Sequence, residues 1–196
     1  NYRDYFLSLV SDSVWITGDI TPSYCLLEPG HLIEIQNLMC DFQIKVVFLM
    51  RDPVERIWSM MRMGWRRSGK DMNCLDSEAA SQLLIKWMRE PYAYERTNYP
   101  RIIKTLNAVF PAESIFYGFY ESLFMPHQIE ALASFLGIEI GQAAAKRKVN
   151  ASPVVPLSVS ARKEARDYLS DIYDYCAKEF SETLALWDEQ ALIAEA

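Results

Sequence analysis

The sequence contains no apolar run near the roughly 18 residues a helix needs to cross a bilayer. Its longest, Val46-Val47-Phe48-Leu49-Met50, has the length of a strand. Histidine is scarce, with only His31 and His127. The four cysteines (Cys25, Cys40, Cys74, Cys176) lie far apart and form no Cys-x-x-Cys pair. These scarcities exclude a zinc-ligand pattern and a disulfide framework. Free thiols of a reducing compartment are the expectation, which places the chain in the cytoplasm. Glycine and proline are few, 7 and 9, so a collagen-like or linker-like chain is excluded. Low-complexity tracts and internal repeats are absent as well. What remains is the composition of a packed domain, 51% hydrophobic and 23% charged over 196 residues. That is one domain at roughly 100–200 residues per domain.

Net charge is −6, so the chain as a whole repels nucleic acid polymers and anionic membranes. Two islands reverse the sign. Between Arg51 and Lys70 stand six basic residues (Arg51, Arg56, Arg62, Arg66, Arg67, Lys70) against two acidic ones (Asp52, Glu55), and Lys146-Arg147-Lys148 follows later. Compact basic islands in an acidic protein point to a small anionic ligand rather than a long polyanion.

Hydrophobic periodicity predicts helices over 2–10, 28–39, 54–65, 77–89, 101–109 and 126–136, and a long helical region over 158–187. Gly137 reads as the C-cap of the helix at 126–136. Strands are expected at 14–17, 45–50 and 114–120. The run at 45–50 reads as a strand buried on both faces, the kind found in parallel sheets flanked by helices. The expected fold class is therefore α/β with a central, mostly parallel sheet. Asp52-Pro53 predicts a helix start, an N-cap residue with proline in the first helical position.

Chemistry concentrates where that strand meets that helix. Ligands of open α/β sheets bind beyond the carboxyl ends of strands. A helix N-terminus there offers free N–H groups to a phosphate. Arg51 can add a forked guanidinium, and Ser59 can add a hydroxyl from the second turn. The opposing reading pairs Arg51 with Asp52 or Glu55 at the surface and leaves Ser59 to packing.

The segment Arg51-Asp52-Pro53-Val54-Glu55-Arg56-Ile57-Trp58-Ser59 resembles the 3′-phosphate-binding signature of sulfotransferases that use 3′-phosphoadenosine 5′-phosphosulfate (PAPS). Three further stretches agree in order. Gly18-Asp19-Ile20-Thr21-Pro22-Ser23-Tyr24 resembles the family's Gly-Glu-x-Ser/Thr-Pro-x-Tyr turn. Tyr120-Glu121-Ser122-Leu123, with Phe135-Leu136-Gly137, resembles its Tyr-Glu-Asp-Leu … Phe-Leu-Gly segment. Lys146-Arg147-Lys148-Val149-Asn150-Ala151-Ser152 resembles the late basic loop over the nucleotide. The match is nearest to bacterial enzymes related to heparan-sulfate sulfotransferases.

The resemblance implies a P-loop-nucleotide-hydrolase-like sulfotransferase fold and transfer of a sulfuryl group from PAPS to a hydroxyl or amine. A carbohydrate is one such acceptor, and no metal is needed. Arg51 and Ser59 would hold the 3′-phosphate, and Lys146, Arg147 or Lys148 would contact the nucleotide. Asp19 is the candidate general base, against the simpler reading of a turn aspartate bonded to Thr21. Arg56 reads as a structural ion-pair former, and Tyr120 and Glu121 as anchors of the strand end. Arg62, Arg66 and Arg67 could line an acceptor cleft or form a solvated helix face. Two departures accompany the match. The family's phosphosulfate loop, Gly-x-x-(Gly)-Ser/Thr-Thr, has no counterpart, the first glycine being Gly18. Ile20 also stands where many relatives carry lysine. The expectation is a single domain, 1–196, lacking that N-terminal strand, loop and helix. The alternatives are a P-loop phosphotransferase resembling nucleoside kinases, and a non-catalytic nucleotide-binding domain.

Overall fold

A computed structural model of the chain describes residues 2–70, 75–139 and 155–188. Helix α1 (Tyr2–Leu9) leads through a 3₁₀ turn at Pro22–Leu26 into α2 (Pro29–Leu38). Strand β1 (Val46–Met50) is followed by α3 (Pro53–Arg67), α4 (Ser77–Met88), α5 (Pro91–Thr97) and α6 (Tyr99–Val109). Then come β2 (Ile115–Phe119), α7 (Pro126–Leu136), α8 (Val159–Tyr168), α9 (Ser170–Glu179) and α10 (Thr183–Leu186). The fold is helix-dominated α/β. Strands β1 and β2 pair in parallel, from Val46 opposite Ile115 to Met50 opposite Phe119. The Tyr120 N–H extends the ladder to the Met50 carbonyl at 2.8 Å. Parallel neighbours need a long crossover, which α3 to α6 supply. Among the described residues no helix is long and apolar enough to cross a membrane.

Three expectations are corrected. Strand β1 is not buried on both faces: Val47 and Leu49 are 37% and 39% exposed, while Met50 is fully buried. The core helices gather on the Met50 side, so only alternate residues of the strand are covered. Residues 14–17 form no strand; an isolated bridge joins Ser11 to Val14. The helical region at 158–187 is broken twice, at Leu169 and at 180–182, into α8, α9 and α10. Gly137 caps α7 in the left-handed region at φ 75°, as its position implies. Gly118 is required by closeness instead, since a Cβ there would meet the Leu49 side chain and the Phe116 ring at 2.9 Å.

The core joins α3 (Val54, Ile57, Trp58, Met61) and α4 (Leu84, Met88) to α6, α8 and α9. Trp187, 1% exposed, plugs the end of β2. Its ring lies 5.7 Å from Phe119, 6.1 Å from Tyr173 and 6.2 Å from Tyr99. Edge-to-face contacts of this kind add to the area buried. Its indole N–H donates to Glu121 at 3.1 Å. Trp187→Ala is expected to cost about 3–5 kcal/mol of stability, the range for an emptied aromatic site, measured by urea denaturation. A loss below about 1 kcal/mol would mean that the ring is not part of the core.

The β1–α3 junction turns on Asp52, 1% exposed. One carboxylate oxygen accepts the Glu55 N–H at 2.9 Å as the N-cap of α3. The other accepts the Tyr173 hydroxyl of α9 at 2.8 Å. Burial raises its pKa from the usual 3.8 to about 6, against the pull of those two hydrogen bonds. A carboxyl that holds its proton more tightly folded than unfolded stabilises the fold at low pH. That contribution is lost as pH rises from about 4 through about 6. Asp52→Asn keeps an oxygen for the cap and an amide for Tyr173 but removes the titration. The stability of the wild type minus that of Asp52→Asn should therefore be larger at about pH 4 than at about pH 7. An equal difference at both, read by urea denaturation, would contradict the raised pKa.

Candidate functional site

Arg51 leaves the carboxyl end of β1 with its backbone held on both sides. The Tyr99 hydroxyl, from the start of α6, accepts the Arg51 N–H at 3.1 Å and donates to the Arg51 carbonyl at 2.7 Å. Tyr99 is wholly buried, and burial raises its pKa far above the usual tyrosine value. The next N–H, of Asp52, donates to Glu121 at 2.8 Å. The guanidinium of Arg51 stacks on the Tyr120 ring at 4.5 Å and reaches Glu55 at 3.4 Å. A stacked guanidinium keeps its donors in its own plane, where they can fork onto an oxyanion.

Glu55 is shared. Its other oxygen accepts Arg162, from α8, at 2.7 Å. Ser59, half-buried, stands one turn after Glu55, and Arg62 stands three residues further, so the three succeed one another along one face of α3. Arg62 lies over the Trp58 ring at 5.6 Å. Burial lowers its pKa, and Glu55, Arg51, Tyr120 and Arg162 are all within electrostatic reach of it. Two guanidiniums thus converge on one carboxylate, in a chain of net charge −6.

The helix N-terminus does not contribute as expected. The Glu55 N–H is taken by Asp52, the Val54 N–H faces the Tyr173 hydroxyl at 3.5 Å, and the Arg56 N–H bonds the Asp52 carbonyl. The aspartate that makes the cap satisfies donors that a phosphate would otherwise use. An anion here is met by side chains. Arg51 does pair with Glu55, as the opposing reading had it, yet it shares that carboxylate with Arg162. Arg56 was expected to form an ion pair; its Nε donates instead to the Arg96 carbonyl at 2.9 Å and ties α3 to α5. Glu121 anchors the strand end through the Asp52 N–H, while Tyr120 both extends the ladder and supports Arg51.

Asp19 lies in the exposed turn before α2 and accepts three hydroxyls. They come from Tyr24 at 2.5 Å, Thr21 at 2.6 Å and Tyr2 at 3.2 Å. The Thr21 bond, then that of Tyr24, lowers its pKa, which keeps it ionised and weakens it as a base. Tyr2 and Tyr24, with Leu27, His31, Glu34, Ile35 and Leu38, line an adjoining cleft of about 310 Å³. No described bond links this turn to Arg51 directly. The 3₁₀ turn is instead held by Arg96, which bonds the Pro22 carbonyl and Ser23 at 3.2 and 2.8 Å. His127 is exposed at the start of α7, and Arg66 and Arg67 are exposed on α3. Lys146, Arg147 and Lys148 lie outside the described residues. Arg162 and Tyr99 were missed by sequence reasoning. Ser158 before α8 and Asn98 before α6 announce the helices that carry them, but which partners those side chains meet is settled only by packing.

No protein-family model matches the chain, and no curated protein matches it either. Among solved structures it superposes on the crystal structure of a sulfotransferase from Alicyclobacillus acidocaldarius. The identity is 21%, the TM-score is 0.61, and the match covers 94% of this chain and 73% of that one. The chain therefore has the sulfotransferase fold, a helix-dominated α/β arrangement around parallel strands.

Proposed function

We propose that the chain is a PAPS-dependent sulfotransferase domain that sulfates a hydroxyl or amine acceptor, carbohydrates included, in the cytoplasm. The observation that carries this reading is Arg51 at the carboxyl end of β1, stacked on Tyr120 and sharing Glu55 with Arg162, in a chain with the sulfotransferase fold. The motif order of the sequence supports the same reading. The phosphosulfate loop of the family has no counterpart within residues 1–196, so the reading concerns the 3′-phosphate half of the donor site.

When bound, the donor supplies the sulfuryl group and a 3′-phosphate remote from the reacting sulfur. The residues at β1 and α3 bind and orient rather than react. Arg51, steadied by Tyr120 and by the Tyr99 hydroxyl on its peptide, forks onto the 3′-phosphate. Ser59 adds a hydroxyl donor. Lys146, Arg147 and Lys148 contact the nucleotide from the late loop. Asp19 takes the acceptor's proton, an acceptor hydroxyl replacing one of the three it now receives.

Adenosine 3′,5′-bisphosphate and adenosine 5′-monophosphate differ only in the 3′-phosphate, so calorimetry with both isolates the subsite. The wild type should prefer the bisphosphate. Arg51→Ala should weaken bisphosphate binding by about 1.5–3 kcal/mol, and Ser59→Ala by about 1 kcal/mol, the values for charged and neutral hydrogen bonds. Binding of the monophosphate should be unchanged in both variants. Equal affinity of the wild type for the two nucleotides would sink the reading.

A further inference from the structure

We infer that the cleft formed by Tyr2, Tyr24 and one face of α2 receives the acceptor, and that it selects a small phenol over sugars and over anions. This rests on the functional reading above, in which Asp19 meets the acceptor, and it names the acceptor's chemical class.

The walls fit a flat apolar body. Tyr2 from α1 and Tyr24 from the 3₁₀ turn bring aromatic rings, and Leu27, Ile35 and Leu38 bring aliphatic side chains, around about 310 Å³. That volume stands at the small end of ligand sites. Such walls suit an aromatic ring. They offer few partners to the several hydroxyls of a sugar, each of which gives up water on entering. The polar group stands at one end. Asp19 accepts the hydroxyls of both Tyr2 and Tyr24, so it lies at the phenolic tips of the two rings. The Tyr2 bond, at 3.2 Å, is the longest of the three that Asp19 accepts. A ligand phenol in its place repeats a bond that the carboxylate already makes. Beside Asp19, the apolar side chain of Ile20 is 97% exposed. Charge completes the selection. Asp19 and Glu34 are both acidic, and among the described residues no lysine or arginine lines the cleft. Arg3, next to Tyr2 on α1, is paired with Asp41. An anionic acceptor is therefore repelled. Helix α6 ties this cleft to the end of β1: Tyr99 straddles the Arg51 peptide, and Arg101 bonds the Cys25 carbonyl of the 3₁₀ turn at 2.6 Å.

The test titrates the chain with 4-fluorophenol, fluorobenzene and 4-fluorobenzoate by fluorine NMR, with methyl glucoside and glucuronate as competitors. His31 is the lining side chain able to gain positive charge, so the titrations are run at about pH 8. The wild type should bind 4-fluorophenol about tenfold more tightly than fluorobenzene, as for a charged hydrogen bond. It should prefer 4-fluorophenol to 4-fluorobenzoate by about tenfold as well, and neither sugar should displace it. Asp19→Asn should lose most of the preference over fluorobenzene. Leu38→Arg, at an exposed position, brings a cation into the cleft and should weaken 4-fluorophenol while tightening 4-fluorobenzoate. Affinities unchanged by Leu38→Arg would put the phenol elsewhere and overturn the inference. Displacement by either sugar, a wild-type preference for the benzoate, or an Asp19→Asn variant that keeps its preference over fluorobenzene overturns it too. Each of these leaves the functional reading standing as long as the wild type prefers adenosine 3′,5′-bisphosphate to the monophosphate. If it has no such preference, the functional reading falls and the acceptor assignment falls with it.

Discussion

Asp52 is a carboxylate almost wholly out of water, and its surroundings explain how it stays there. It accepts one N–H from the first turn of α3 and a hydroxyl from Tyr173 on α9. Its own N–H goes to Glu121, whose other oxygen takes the indole of Trp187. A buried charge is tolerable only when its lone pairs are satisfied, and the positive end of a helix dipole is a favourable place for it. One junction thereby joins β1, α3, α9 and the aromatic plug behind β2. The same junction also limits what the helix start can bind. The N–H groups of the first turn of α3 already have protein partners, so an anion there would have to be met by side chains.

Two electrostatic compartments result, side by side. The inner one is closed: Asp52 has Arg166 at 3.9 Å, and Arg166 in turn lies over the Tyr173 ring at 4.0 Å and bonds the Trp187 carbonyl at 2.9 Å. The outer one is left with more positive than negative charge around Glu55. Separation matters because a guanidinium fully neutralised by the protein has little left for a ligand, whereas an unsupported one pays rotamer entropy on binding. Arg51 avoids both. Its peptide is straddled by the Tyr99 hydroxyl, its plane rests on Tyr120, and its partner Glu55 is shared. Preorganisation of this kind comes from rigid neighbours rather than from extra contacts to the ligand.

What was legible in the sequence was local. Asp52-Pro53 announced α3 because a cap and a first-turn proline act within four residues. Pro126 and Gly137 bounded α7 for the same reason. The strand at 46–50 was visible as a β-branched and aromatic run, but its solvent-facing side was not. Hydrophobicity alone does not say which layer lies against which face, and Val47 and Leu49 are partly exposed. Helix α5 escaped because Pro91–Thr97 has no apolar period, although its proline stands at the first position. The breaks at Leu169 and at 180–182 escaped for the opposite reason: α8, α9 and α10 all turn apolar residues to one core, so the periodicity runs on through the breaks. Motif spacing singled out Arg51 and Ser59, and the structure puts them at the end of β1 and on α3, Ser59 one turn after Glu55. Tyr99 and Tyr173 were not legible as supports of the junction, because their hydrogen bonds cross 48 and 121 positions, whereas Glu121 was read as an anchor of the strand end from its motif.

Helix α8 shows how one short segment can serve both compartments. Arg162 and Arg166 stand four residues apart, one turn of the same helix. Arg166 faces inward, to Asp52, Tyr173 and the Trp187 carbonyl, and so docks the carboxyl-terminal helices on the β1–α3 junction. Arg162 faces Glu55. The position of Arg162 is thus set by the contacts of Arg166 a turn away, and through them by Trp187 and the buried carboxylate. The Arg162–Glu55 pair exists only in the docked state, so it favours the docking that positions it. The arrangement around Glu55 and the cohesion of α8 to α10 with the rest of the fold are in this sense one equilibrium, carried by two arginines on a single helical face.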